Sequence, residues 1–527
     1  MLSTATVIAI RQRGRVLEGT LGAMKLWIRS FASTALSLGL AALIGACSDE
    51  PSGPPACEGG GDDFDGVEFA GVWHFEVQFP DFGAGVATLR VERQDGDFSV
   101  QASGRESTEV RFDDSGIYVL AMNEIDPEQP DEPVITRTYH VCARDAAGIA
   151  TGTYEYCSDE ECYPATLSGG KVDPLDEPEA EGVTLISEYN GENNDWSFSS
   201  ITLNVRVHGG MAYMARRYDG LRIVDISDEQ APVERGHSPA NQNENYNDVK
   251  VVEGPGDTVY ALMASSTRGV VVIDVTDPDD PQEVTRFPGS ELAPDGLPSV
   301  HTLFVEDQRV YLTFNYDDSL RIYDVSDPAD PQPLGSFVNP RVDDEGGNLH
   351  DLYVQGGRAY LNYWNLGMTI VDTLADPANP VMLGEYRDYG QVTSHSNWVT
   401  NVGGRTISVH GDEQYGAHVR IVDVDPQSGE FLETLGSYQT RPYVSVHNIL
   451  AYADRAYVTY YQDGLRILDL SDPYNPVEAG HFQTWPGLQE NYGHSFFEGA
   501  IGVDLDPARN RLYLADTHRG LLILSLD

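Results

Sequence analysis

From about residue 64 to the C-terminus, apolar and polar positions alternate with a period of two in short runs. No stretch carries the 3.6-residue period of a helix. The runs are rich in β-branched and aromatic residues and are separated by Gly, Pro, Asp and Ser, so the pattern predicts an all-β protein throughout. In residues 64–172 the runs Val72–Phe79, Val86–Arg93, Phe98–Ala102, Ile117–Ala121, Thr136–Arg144 and Ile149–Tyr156 read as an antiparallel meander. A small barrel or sandwich is the natural closure of such a meander.

The remaining pattern is a repeat. The unit recurs as Gly220-LRIVDISD, Gly269-VVVIDVTDPDDP, Ser319-LRIYDVSDPADP, Gly367-MTIVDTLADPANP, His418-VRIVDVDP, Gly464-LRILDLSDPYNP and Gly520-LLILSLD. Its anchor falls at Asp225, Asp274, Asp324, Asp372, Asp423, Asp469 and Ser525, a period near 50 residues. A second strand precedes most copies, centred on Tyr213, Tyr260, Tyr311, Tyr360, Tyr457 and Tyr513, with Ile407 in the fifth copy. With a third strand before it and a fourth after the anchor, each repeat holds four short strands, which is the content of one propeller blade. Seven copies over residues 183–527 therefore predict a seven-bladed β-propeller, with residues 173–182 as a linker. The seventh copy lacks a fourth strand, and Val183-TLISEYNG resembles the missing one, as in Val381-MLGEY and Val477-EAGHF.

The recurring LRIVD, VVVID and LRILD strands resemble the LVIVD-repeat proteins, exported bacterial propellers. The resemblance covers residues 183–527 and implies a fold and an exported setting, with no family-wide activity and no catalytic residues to carry over.

The N-terminus fits export. Residues 24–46 have a basic start at Lys25 and Arg29, an apolar run from Ala32 to Ile44, and small residues before Cys47, which reads as a signal peptide. The ending Ile-Gly-Ala-Cys resembles a bacterial lipobox, which would make Cys47 the lipid-anchored residue of a cell-envelope protein. Residues 1–23 then read as a start-site extension, and 47–63, rich in Pro, Gly and Asp, as a flexible tether. Cys57, Cys142, Cys157 and Cys162 are disulfide candidates in an exported chain, with Cys157–Cys162 and Cys57–Cys142 favoured among three pairings. With 33 basic residues against 83 acidic ones, the net charge of −50 excludes a general nucleic-acid or anionic-lipid binder through long-range repulsion. The chain is expected to be a monomer that touches the membrane through its anchor alone.

Propeller geometry sorts the candidate residues. If strands run A to D from the axis outward, the A–B and C–D turns share one face, built of Gly-Gly and Ser-Asp-Pro-x-x-Pro turns in which the aspartates are structural. The D–A and B–C connections share the other face, and there the long polar stretches gather: Pro239–Asn247, Pro288–Val300, Asn339–Leu349, Asp388–Ser394 and Thr484–Glu498. His301, His350 and His447 each stand ten residues before the strand-B tyrosine of their own blade, which places them at one level of the channel-lining strand. In the fifth blade His395 or Asn397 takes that level, and in the second Asn247, followed by Asp248. The B–C loops add Arg217, Arg268, Tyr316, Trp364, His410, Tyr461, His518 and Arg519 to this candidate binding face.

Converging imidazoles are credible ligands for Zn, Cu, Fe or Ni. The preferred explanation is that each histidine hydrogen-bonds a neighbouring blade's backbone and recurs because the repeat was duplicated. The expected function is a non-catalytic propeller scaffold recognising a protein, glycan or peptide partner. The alternative is a metal-dependent hydrolase or oxidase using the histidines at the channel mouth. No phosphate-cradling loop, His-Glu-x-x-His or Gly-x-Ser-x-Gly motif supplies another chemistry.

Overall fold

The computed structural model describes residues 64–527 apart from 81, 82, 95, 123–132, 160, 192–199, 242, 243, 295, 388 and 391. The signal segment, the tether, Cys47 and Cys57 lie outside the described residues. No helix among the described residues is long and apolar enough to cross a membrane. One unit takes in the chain up to Asp173 together with Gly493–Phe496, and a second takes in Pro174–Tyr492 and Phe497–Asp527.

The first unit is a closed antiparallel barrel of eight strands: β1 (Gly71–Phe79), β2 (Gly83–Gln94), β3 (Asp97–Ala102), β4 (Arg105–Asp113), β5 (Gly116–Met122), β6 (Ile135–Arg144), β7 (Ala150–Ser158) and β8 (Glu161–Val172). Closure comes from β8 pairing back onto β1, Val72 opposite Val172. Inward positions of the alternation fill the barrel with Trp73, Phe75, Leu89, Val119 and Tyr139, all fully buried. The Trp73 indole N–H is satisfied by the Phe69 carbonyl at 2.9 Å, as a buried donor requires. Two strands go beyond the sequence reading. β4 alternates charged residues with few large apolar ones, and β8 carries Pro164 and paired glycines, so neither shows a strong period-two signal. Cys157 and Cys162 are cross-strand partners of β7 and β8 and form a disulfide, and Cys142 is likewise disulfide-bonded.

The second unit is a seven-bladed propeller. Six blades are four-stranded meanders in chain order, with strand A nearest the axis: Thr202–His208, Tyr246–Glu253, Val300–Glu306, Leu349–Gln355, Ser394–Val402 and Ile449–Tyr452. The seventh is composite. Its strand A is Ala500–Asp506, and its outer strand is β10 (Val183–Tyr189), which pairs with Gly520–Leu526 in the register Val183 to Leu526. The stretch read as a linker is only partly one: β9 (Ala180–Glu181) adds a fifth strand to blade 6, against His481 and Phe482. Arg466, almost fully buried, fixes this edge through Glu177 at 2.7 Å and Glu478 at 3.3 Å.

The repeat recurs because its turn chemistry recurs. Asp225, Asp274, Asp324, Asp372, Asp423 and Asp469 each accept a hydrogen bond from the backbone N–H two residues on, at 2.8–3.0 Å. A second aspartate, Asp228, Asp277, Asp327, Asp376, Asp425 or Asp472, does the same at 2.9–3.1 Å. Two successive Asx turns thus fold every C–D connection. Neighbouring blades overlap at these turns. A Cβ on Gly335, in the outer strand of blade 3, would lie 1.8 Å from the Pro377 carbonyl oxygen of blade 4, and one on Gly236 would lie 2.0 Å from that of Pro278. Only glycine leaves room for the next blade's turn there.

Candidate functional site

The propeller axis is ringed by the first residues of the seven inner strands. In most blades strand A opens with a register shift: after Thr202, Tyr246, Val300, Leu349, Ser394 and Ala500 one or two residues drop out of pairing with strand B. A bulge re-aims the unpaired side chain. Those positions hold Leu203, Asn247, His301, His350, His395 and Ile501, and His447 takes the same level in blade 6, its N–H donating to the Thr459 carbonyl at 2.8 Å. In blade 5 His395 occupies the bulge. Asn397 sits two residues further on, bonded to Asn362 Oδ1 at 2.8 Å.

Four successive blades therefore contribute an unbroken arc of imidazoles. Ring centroids lie 4.0 Å apart for His301 and His350, 4.5 Å for His350 and His395, and 4.4 Å for His395 and His447. Asn247 extends the arc, its Nδ2 3.1 Å from His301 Nδ1. At the far end His447 Nδ1 lies 2.6 Å from the Ile501 carbonyl oxygen, so that nitrogen donates and Nε2 is left as the basic one. The Trp364 ring packs 4.9 Å from His350, and the Tyr461 ring 5.0 Å from His447.

A carboxylate completes the cluster. Glu413 is buried, with Oε2 3.6 Å from His395 Nε2 and Oε1 3.9 Å from His447 Nε2, and the Tyr461 hydroxyl donates to Oε1. It belongs to a longer B–C loop, 413–418, where blades 1, 2, 4 and 7 turn in three residues, 217–219, 266–268, 364–366 and 517–519. That length irregularity was the sequence signal for Glu413.

Electrostatics follow burial. Charging an imidazole away from water is costly, so burial pushes His301 down to about 4 and His447 down to about 3, and pushes His350 and His395 well below the ordinary histidine value, with neighbouring imidazoles adding to the effect. All four are neutral at pH 7. Burial acts the other way on Glu413, raising its carboxyl to about 7 against the Tyr461 hydrogen bond.

Further along the inner strands charged and aromatic groups both occur. Burial lowers Lys250 to about 8, although its partner Asp248 lies 2.5 Å away, and raises Asp351 to about 6. Phe304, Tyr353 and Trp398 of blades 3, 4 and 5 pack together, with centroids 4.6–6.0 Å apart.

The other candidates on this face scatter. His410 stays out of the arc because strand alternation turns its ring towards Tyr389, whose hydroxyl is 3.2 Å from Nε2. Asp248 is committed to Lys250, to Asn204 at 2.6 Å and to the Leu303 N–H at 3.2 Å. Arg268 pairs with Glu244 at 3.4 Å, Arg217 lies over Tyr218, and Tyr316 lies beside Phe314. His518 and Arg519 line a separate cavity of about 630 Å³ with Tyr189, Gln489 and Tyr492. There His518 bonds the Asn491 carbonyl at 2.8 Å and Arg519 pairs with Glu188 at 2.8 Å.

These observations define a seven-bladed propeller with a histidine-lined channel mouth. The LVIVD repeat matches residues 201–238, 346–388 and 445–484, which are blades 1, 4 and 6 with their flanks, so the chain carries LVIVD repeats on this propeller. No curated protein matches the sequence. Among solved structures, the computationally designed Ika8 protein matches at 8% identity, covering 62% of this chain and 96% of that one, TM-score 0.42. The WD40 β-propeller domain of Doa1 matches at 10%, covering 66% and 97%, TM-score 0.46. Raptor from Chaetomium thermophilum matches at 11%, covering 65% of this chain and 28% of that one, TM-score 0.46.

Proposed function

We propose that this protein is an exported, lipid-anchored, monomeric component of the cell envelope whose propeller is a non-catalytic scaffold for recognising a protein, glycan or peptide. One observation carries the reading: the two propeller faces differ in kind. The C–D face is closed by repeated double Asx turns whose polar groups are already satisfied within each turn. The opposite face gathers the long D–A segments and the irregular B–C loops, the arrangement by which rigid scaffolds present binding residues. The lipobox-like ending at Cys47 supports the anchor, and the net charge of −50 argues against nucleic acid as partner.

A photo-crosslinking residue placed at Arg268 or Tyr316 in envelope-expressed protein is expected to give discrete adducts. The same residue at Ala329, on the opposite face, is expected to give none. Equal adducts from both faces, or adducts from Ala329 alone, would refute the reading. Radiolabelled palmitate is expected to label the wild type and not Cys47→Ala.

A further inference from the structure

Histidines that serve only to hold a neighbouring blade spend their ring nitrogens on hydrogen bonds. His518 does so, with Nε2 2.8 Å from the Asn491 carbonyl and Nδ1 2.8 Å from Thr517 Oγ1. His481 does so too, engaging Glu478 at 3.1 Å and the Pro178 carbonyl at 2.9 Å. The arc at the channel mouth behaves differently. His350 is 8% exposed and its Nδ1 makes no hydrogen bond, and His395 is 2% exposed with no hydrogen bond at either ring nitrogen, the Glu413 carboxylate standing 3.6 Å from its Nε2. A buried polar atom left without a hydrogen bond costs about 1–3 kcal/mol, and here three such atoms sit together in adjacent blades.

The spacing of the side chains is that of a ligand set. One ligand atom each from His301, His350 and His395 lie within 4.8 Å of one another, as do those of His395, Glu413 and His447. Ligands around a tetrahedral ion at bond lengths of about 2.0–2.1 Å sit about 3.4 Å apart. Rotamer-scale movement closes either set.

We propose that His301, His350, His395, His447 and Glu413 form a transition-metal site at the channel mouth, with His395 as the ligand common to both triads. Neutral imidazoles with one carboxylate select Zn(II), Cu(II), Ni(II) or Fe(II) over Ca(II) or Mg(II), which favour all-oxygen shells. The surroundings supply the outer contacts that orient such ligands. The Ile501 carbonyl holds His447 Nδ1, the Asn247 amide faces His301 Nδ1, and the Tyr461 hydroxyl positions Glu413. The Trp364 and Tyr461 rings wall the cluster. Two other clusters lack this character: the Cys157 and Cys162 sulfurs are joined in a disulfide, and Glu177 and Glu478 are bound by Arg466. The site stands independently of any recognised partner, since every ligand comes from this chain.

The test is a titration of the full chain, purified without a histidine tag and stripped with a chelator, with Co(II) followed by ligand-field absorption and then by Zn(II) competition. The expected result is saturation at about one equivalent, a visible spectrum of nitrogen–oxygen coordination, and displacement by Zn(II). His395→Ala is expected to weaken binding at least about 100-fold, because it removes a direct ligand where loss of outer contacts alone costs about 10–100-fold. Between His301→Ala and His447→Ala, the larger loss identifies the triad that holds the ion, and His208→Ala, a half-buried histidine off the arc that pairs with Glu253 at 3.6 Å, is expected to bind as the wild type does. Near-UV circular dichroism of each metal-free variant reports folding, and Glu413→Gln and His301→Asn replace any alanine variant that fails it. Folded wild type without ligand-field absorption, or folded His395→Ala with wild-type affinity, would overturn the site.

Discussion

The aspartate that ends six of the seven LVIVD-type strands is the residue that makes the repeat repeat. Its carboxylate replaces a backbone partner at the tightest point of the blade, and a second aspartate two to four residues on repeats the device. Hydrogen bonds from Ser227, Ser326 and Ser471 hold the Asp225, Asp324 and Asp469 carboxyls below the usual range. A depressed carboxyl contributes stability that is present above its unfolded value, about 3.9, and lost as pH falls through the lower folded value. Asp324→Ala is therefore expected to cost about 1 kcal/mol at pH 7, and the gap between variant and wild type is expected to narrow below about pH 4. Urea unfolding at pH 7 and pH 3 measures both. A gap that stays constant across this range would mean that the aspartate acts through packing and not through its charge.

At the scale of the strand, the glycines of the outer strands decide how closely blades can nest. Because a Cβ on Gly335 would lie 1.8 Å from the Pro377 carbonyl oxygen, Gly335→Ala forces two blades apart. Overpacking of this kind costs about 1–3 kcal/mol, readable as a lower urea midpoint. Gly429→Ala, at a position with open space around it, is the matched control. Strands of this kind were legible in the sequence wherever turn chemistry and alternation agreed, which is why seven copies of the repeat announced the propeller. They were illegible where one of the two failed, as in β4 with its charged alternation and β8 with Pro164 and its glycines. The histidine arc was legible because His301, His350 and His447 keep one spacing from their strand-B tyrosines. His395 needed the structure to choose it over Asn397, since the register shift falls after Ser394. Glu413 was missed because a lone acid among 83 carries no pattern, and only its longer loop marks it. His410 shows the converse case: read as part of a B–C loop, it lies inside the strand Arg405–Asp412, fully buried, with its ring beside Tyr389.

For the whole molecule the dominant fact is charge. A chain with 33 basic and 83 acidic residues repels itself when compact, and that repulsion is screened over about 10 Å at 0.1 M salt. Raising NaCl from about 10 mM to 0.5 M, where the screening length shortens several-fold, is therefore expected to raise the melting temperature. Scanning calorimetry at the two salt concentrations checks this. A melting temperature that falls with salt would mean that ion pairs such as Arg235–Asp279 outweigh the general repulsion.

The composite seventh blade has a consequence in time as well as in space. Thr184 and Asp527 stand 343 positions apart in the chain and meet through a side-chain hydrogen bond at 3.2 Å. β10 leaves the ribosome ahead of all the strands of blades 1–5, yet its partner, Gly520–Leu526, follows every one of them. Without Gly520–Leu526, β10 has no strand to pair with and the seventh blade cannot close.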